Sequence, residues 1–99
     1  MKKNVLQLEK LEMGATMLRA MVHPMRIAII ELLTTNSRLS VTEIYEKLNM
    51  EQAVASYHLN MLKNRGVLES KREGRKIFYS LRYEKLKEII NSLDRCLEM

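Results

Sequence analysis

Residues 40–64 read SVTEIYEKLNMEQAVASYHLNMLKN and carry the clearest local signals of the fold. Within it, Ser40 and Glu43 have the S-x-x-E spacing of a capping box, in which the two side chains bond the free backbone amides at a helix start. They predict a helix over about 41–48. Apolar residues spaced three and four apart then predict another helix over about 51–64. The connection between these two helices is therefore a short turn.

The two sides of the helix predicted over 51–64 differ in chemistry. On one side, apolar residues such as Val54 and Leu62 are spaced to face a core, and His58 lies among them. The other side has short side chains near its start and many hydrogen-bonding groups, as a helix that enters the major groove of DNA needs. This side is formed by Gln52, Ala53, Ser56, Tyr57, Asn60 and Lys63.

A basic β-hairpin is predicted directly after this helix. Residues that favour strands occur in both halves of 67–81, and the turn residues Glu73-Gly74 lie between them. The segment 63–76 carries six basic and two acidic side chains, which is four of the five net positive charges. A basic patch this concentrated suits a polyanion, and a solvated basic face is the alternative. Arg75, flanked by the cations Arg72 and Lys76, is expected to lie along the phosphates of DNA or to enter the minor groove.

Three further helices are predicted over about 4–21, 24–34 and 83–97. Pro24 suits the first turn of the second one, because proline lacks the amide that a helix start leaves unbonded. The first helix is apolar on two sides, and a chain of 99 residues has too small a core to cover both. A second copy of the chain is the expected cover, through Val5, Leu8, Leu11, Leu86, Ile89, Ile90, Leu93 and Leu97.

The order of these elements predicts a winged helix-turn-helix. Three helices precede a fourth with a polar face, a short turn joins the third to the fourth, and a basic hairpin follows. We expect one α+β domain, mostly α, with five helices over 1–99 and a two-stranded wing between the fourth and fifth helices. In such a domain the helix over 51–64 reads bases, and Gln52 can bond an adenine edge through both amide atoms.

Several segments resemble the ArsR/SmtB family of winged-helix repressors over essentially the whole chain. They are HPMRIAIIELL at 23–33, SYHLNML at 56–62, GVLE at 66–69 and GRKIFY at 74–79. The resemblance implies a homodimer assembled through the first and last helices. It also implies double-stranded operator DNA as the partner, with half-sites about 34 to 36 Å apart.

A metal-sensing site is not expected. Many members of this family release DNA when a metal binds, but residues 41–48 contain no cysteine here. The resemblance places the family's terminal-helix ligands on Tyr83, Lys85, Cys96 and Met99, of which only Cys96 is a good ligand, and zinc takes about four. Cys96 is interpreted as an inert cysteine, with a disulfide between subunits as the redox alternative. The inducing signal, if there is one, is not identified.

Catalytic chemistry is not indicated either. No Ser/His/Asp, Cys/His or paired-carboxylate arrangement accompanies a glycine-rich loop, so we expect neither an enzyme nor a cofactor. The two histidines are interpreted as structural, His23 as a helix cap and His58 as a hydrogen-bonded core residue. A role of either histidine in a pH switch remains an alternative.

The single cysteine fits a reduced, cytoplasmic setting, and no apolar run reaches the 18 or so residues of a membrane span. A transcriptional regulator, most simply a repressor, is the favoured interpretation. Two others stay open. One is a winged-helix dimer whose main partner is a protein and whose binding to nucleic acid is weak, and the other is RNA binding.

Overall fold

Five helices and a three-stranded antiparallel sheet form the part of the chain that the computed structural model describes, residues 5–97. A hairpin lies between the fourth and fifth helices, which confirms the predicted mostly helical winged architecture. None of the helices in this range is long and apolar enough to cross a bilayer. In chain order the elements are α1 (Val5–Met21), α2 (Pro24–Thr35), β1 (Leu39–Ser40), α3 (Val41–Lys47), α4 (Gln52–Asn64), β2 (Leu68–Glu73), β3 (Lys76–Leu81) and α5 (Leu86–Leu97).

Helix α2 lies at the centre of the core and contacts α1, α4, α5 and β3. Its start agrees with the interpretation of His23, whose Nδ1 accepts a hydrogen bond from the Met25 amide at 3.2 Å. Pro24 occupies the first helical position, where no amide bond is lost. The buried residues of α2 are Ile27, Ile29, Ile30 and Leu33. Apolar burial against four neighbouring elements therefore holds this helix in place.

The short connection between α3 and α4 is built as the sequence predicts. The Glu43 amide donates to Ser40 Oγ at 3.2 Å, and the Ser40 amide donates to Glu43 Oε1 at 3.0 Å, so the capping box is complete. The bond from the Ser40 amide to the Glu43 carboxylate holds the pKa of Glu43 below its usual value, and a side-chain hydrogen bond with Ser40 lowers it further. In the turn that follows α3, Asn49 adopts φ 52°, a left-handed conformation that asparagine tolerates. The two helices joined by this turn pack against each other.

The sheet contains a strand that the sequence pattern did not predict. Strand β1 pairs antiparallel with β3, so the strand order is β1-β3-β2 and the wing is anchored to the segment before α3. A strand of two residues, Leu39 and Ser40, is too short to show an alternating pattern. The hairpin of β2 and β3 turns at Gly74, whose φ of +64° favours glycine.

The last helix begins later than predicted, at Leu86 rather than near residue 83. Amides of Leu86 and Lys87 bond carbonyls three residues back, at Tyr83 and Glu84, so the preceding residues form a turn. Helix α5 packs on α2, and Leu86 and Ile90 are 3% and 0% exposed there. These two side chains belong to the protomer core, which corrects their assignment to a dimer surface.

Candidate nucleic-acid interface

Helix α4 presents one side to the core and the other to solvent. The buried side chains are Ala55, His58, Leu59 and Leu62, and they pack on α2, α3 and β2. The opposite side carries the residues predicted to contact DNA. Gln52, Ala53, Tyr57, Asn60 and Lys63 are exposed on it, and Ser56 is half-buried. The polar side of α4 is therefore free to meet a partner, while the apolar side fixes its position.

The start of α4 and the tip of the wing line one groove, which we call the reading groove. Its lining brings Gln52 and Ser56 of α4 together with Arg75 and Lys76 of the wing. Its volume is about 290 Å³, and Ser40, Val41, Thr42 and Ile77 complete the lining. Two amide- or hydroxyl-bearing side chains thus lie beside two cations, which is the combination that reads base edges and neutralises phosphates.

Arg72 is the predicted wing cation that does not line this groove. It pairs across the hairpin with Ile77, which does line the groove. Residues directly opposite each other in an antiparallel pair point to the same face, so Arg72 lies on the groove side of the wing. It extends the basic surface of the groove along β2.

Arg38 anchors the wing through contacts that the sequence did not suggest. Its guanidinium bonds both carboxylate oxygens of Glu73, at 2.7 and 2.9 Å, and its central carbon lies 4.1 Å from the centre of the Phe78 ring. The hydrogen bonds from Arg38 hold the pKa of Glu73 below its usual value. The one acidic residue at the wing tip is therefore neutralised, and the hairpin is tied to the segment before β1.

Five residues around this interface were not among the predicted contacts, Arg38, Ser40, Val41, Thr42 and Ile77. Arg38 lies in a polar stretch that the sequence marks only as the end of α2, and its partner is 35 residues away, so no local signal could have paired them. Thr42 was passed over as part of the first turn of α3. The capping box was a usable signal, because residues in the first helical turn after a cap lie at an exposed helix end.

His58 joins α4 to the start of α2. It is 7% exposed, and its Nδ1 accepts a hydrogen bond from Arg26 Nε at 3.2 Å, as expected of a hydrogen-bonded core histidine. The His23 ring lies 5.0 Å from it, centre to centre. Burial lowers the pKa of His58, and the charges of His23 and Arg26 lower it further. The imidazole is thus kept neutral, which the bond from Arg26 to its Nδ1 requires.

The outer side of α1 exposes large apolar residues. Leu8 and Leu11 are 50% and 53% exposed, and Leu18 and Val22 continue the same stripe toward the end of the helix. The inner side packs Met17, Ala20 and Met21 on the core.

On α5, Ile89 is exposed. The side chains of Val5, Leu93, Cys96 and Leu97 lie outside what the structure describes, so the predictions for them stay predictions.

Within the described residues, no three His, Cys, Asp or Glu side chains come close enough together to hold a metal ion. The described ligand candidates from the terminal helix, Tyr83 and Lys85, are both exposed. The absence of a metal-sensing site therefore stays a prediction from the sequence.

The chain is similar to proteins that share this architecture. Residues 21–71 match the family model described as a helix-turn-helix domain. The transcriptional repressor PagR of Bacillus anthracis is 37% identical over 85% of this chain and 84% of its own length. Its crystal structure covers 87% of this chain and 98% of that one, with a TM-score of 0.79.

Two further proteins extend the comparison. The repressor SmtB of Mycobacterium tuberculosis is 37% identical over 83% of this chain and 60% of its own length. The solution structure of a homodimeric winged helix-turn-helix DNA-binding domain of Mycobacterium bovis, 22% identical, covers 99% of this chain and 90% of that one, with a TM-score of 0.81, and so shares the fold. The chain belongs to the ArsR/SmtB family of winged helix-turn-helix transcriptional regulators.

Proposed function

We propose that this protein is a homodimeric repressor that binds operator DNA through the reading groove. The observation that carries the proposal is the placement of Gln52 and Ser56 beside Arg75 and Lys76 in that groove. The side chains from α4 have the donors and acceptors that distinguish base pairs, and the wing supplies charge for the backbone. Repression is proposed because the relatives PagR and SmtB are named transcriptional repressors.

Self-association is proposed from the outer side of α1. Exposed leucines at 8, 11 and 18 recur at helical spacing, and isolated chains of this size rarely leave so continuous an apolar stripe in water. The related fold from Mycobacterium bovis is a homodimer. For such a dimer, the two operator half-sites are expected about 34 to 36 Å apart on one duplex.

The experiment compares two variants on two DNA molecules of equal length. The first duplex carries the sequence upstream of the protein's own gene, and the second has the same composition in random order. Gln52→Ala is expected to cost about 1 to 3 kcal/mol of binding on the first duplex alone, because a base contact is lost. Arg75→Ala is expected to weaken binding to both and to reduce the salt slope by about one, as a phosphate contact does.

Fluorescence anisotropy at several salt concentrations measures these differences. The wild-type protein must also prefer the first duplex, or another genomic fragment found by selection, over random DNA. Equal affinity for all fragments would contradict the repressor proposal. An equal loss for Gln52→Ala on both duplexes would contradict base reading by this residue.

A further inference from the structure

A second cavity lies on the opposite side of α4 from the reading groove, between α4 and α1. Its volume is about 310 Å³, and three of its six lining residues are arginines. We call it the arginine cavity. It is lined by Thr16, Arg19, Ala20, Arg26, Met61 and Arg65.

The three guanidinium groups have no carboxylate partner in the described part of the chain. The ion pairs found there join Arg38 to Glu73 and Lys87 to Glu84. Arg19 donates to Thr16 Oγ1 at 3.4 Å, which is a neutral acceptor. Three arginines thus line one small space, and no aspartate or glutamate lines it.

Arg26 is the most constrained of the three. It is half-buried, with Nε bonded to His58 Nδ1 at 3.2 Å and Nη1 bonded to the Ala20 carbonyl at 3.3 Å. Both acceptors are neutral, and charged groups taken out of water are usually paired with an opposite charge. These bonds fix the direction of the guanidinium, so its remaining donors are held in place at the cavity wall.

We propose that the arginine cavity binds the phosphate group of a small molecule. Guanidinium groups bond oxyanions through two parallel N–H donors, and several around one site favour a dianion. A larger cleft of about 580 Å³ adjoins the cavity, since both are lined by Thr16 and Arg65. Met13, Met17 and Tyr83 also line that cleft and supply apolar surface for the organic part of a phosphate ester. Glu9 and Glu12 line it too and would repel an anion there, so the phosphate group itself is placed in the arginine cavity.

The arginine cavity itself is separate from the reading groove, although Lys63, a predicted DNA contact, lines the adjoining cleft. The arginine cavity shares no lining residue with the reading groove. Arg65 directly follows α4, and the rise of a helix places it about 20 Å along the axis from Gln52. Phosphate binding and DNA binding can therefore be measured separately. A negative result for one proposal does not contradict the other.

The test is an NMR titration of the full chain labelled with ¹⁵N, without DNA, in a phosphate-free buffer. Inorganic phosphate and glycerol 3-phosphate are added to ~20 mM, a range that detects millimolar binding, with ionic strength held constant by chloride. Saturable shifts are expected at the amides of Thr16, Ala20 and Met61. Arg19→Gln with Arg65→Gln is expected to weaken binding ~10-fold or more, because two charged hydrogen-bond donors are removed.

The matched control is Lys10→Gln with Lys85→Gln, which removes the same charge from two exposed residues outside both cavities. It is expected to bind phosphate as the wild type does. Absence of saturable shifts, or equal weakening in both double variants, would overturn the proposal. So would shifts at these amides with a short random duplex but not with either phosphate compound, because the site would then hold the DNA backbone.

Discussion

The reading groove and the outer side of α1 differ in whether other parts of the chain contact their side chains. Around the groove, the capping box closes the start of α3 and Arg38 neutralises Glu73 at the base of the wing tip. On α1, by contrast, Leu8 and Leu11 are about half exposed, with no covering element in the described part of the chain. One region is completed by contacts within the chain, whereas the described part of the chain leaves the other exposed.

In the proposed dimer, the geometry of the groove depends on one protomer, whereas cover for the α1 stripe depends on a second copy. Helix α4 is positioned by its own buried side, so the groove geometry belongs to each protomer. A partner surface that covers the apolar stripe on α1 would remove water from it and so lower the free energy of the dimer. Four measurements test whether packing within the protomer and association between protomers are separate in this way.

The largest effect is expected when the buried side of α4 is truncated. Leu59 is fully buried between α4 and the core, so Leu59→Ala is expected to lower the free energy of unfolding by about 2 to 5 kcal/mol through the cavity it leaves. Urea unfolding followed by circular dichroism measures the loss. Asn60→Ala, at the exposed neighbour, is the control and should stay within about 0.5 kcal/mol of wild type. Equal losses would mean that packing within the protomer does not position α4.

The next effect concerns association. Leu8→Ala with Leu11→Ala is expected to raise the dimer dissociation constant by about 100-fold, because apolar area is lost twice in a symmetric interface. Sedimentation equilibrium at several concentrations measures it. Lys10→Ala, between them on the same helix and exposed, should leave the constant near that of wild type. A monomeric wild type, or a dimer unaffected by the double change, would remove α1 from the interface.

A smaller effect is expected from the wing anchor. Arg38→Gln leaves the charge of Glu73 uncompensated beside the wing cations, so DNA affinity should fall by roughly 3- to 10-fold. Adding Glu73→Gln to this variant removes that charge and should recover part of the affinity for DNA. The contact between residues 38 and 73 that anchors the hairpin stays lost. Anisotropy titrations of the single and double variants separate the two contributions. Unchanged affinity in Arg38→Gln would show that the groove does not depend on this anchor.

The smallest effect is a dependence on pH. The pKa of His58 is lowered in the folded chain, so the unfolded chain binds more protons as pH falls below about 6.5. The stability contributed by neutral His58 is therefore full above that pH and is lost as pH falls through the folded pKa. His58→Gln keeps an acceptor for Arg26 without titrating, and should flatten the stability difference between pH 7.5 and 5.5 in urea unfolding. An unchanged pH profile would contradict this assignment.

Much of the fold could be predicted from local patterns. The capping box at Ser40 and Glu43, the proline at the start of α2 and the glycine at the wing tip each act within a few residues, and each lies where the sequence indicated. The start of α5 was misplaced by three residues, because apolar spacing does not distinguish a turn from a first helical turn.

The candidate site divides in the same way. The exposed polar side of α4 was predictable from helical spacing, since the buried side follows from its apolar residues. The contact between Arg38 and Glu73 was not, because either charge taken alone looks like a solvated surface residue. The arginine cavity likewise draws its residues from α1, α2 and the end of α4.

Local sequence signals were sufficient to predict the helices, the short turn, the basic hairpin and the two sides of α4, because capping, spacing and turn chemistry act over three to four residues. Packing between distant elements determines which of the terminal-helix apolar residues fill the core, as Leu86 and Ile90 do, and which remain exposed, as Leu8 and Leu11 do. It also pairs β1 with the wing and brings three arginines to the lining of one cavity. These outcomes depend on how elements distant in the chain pack, and apolar residues on one stripe look alike until a neighbour covers some of them.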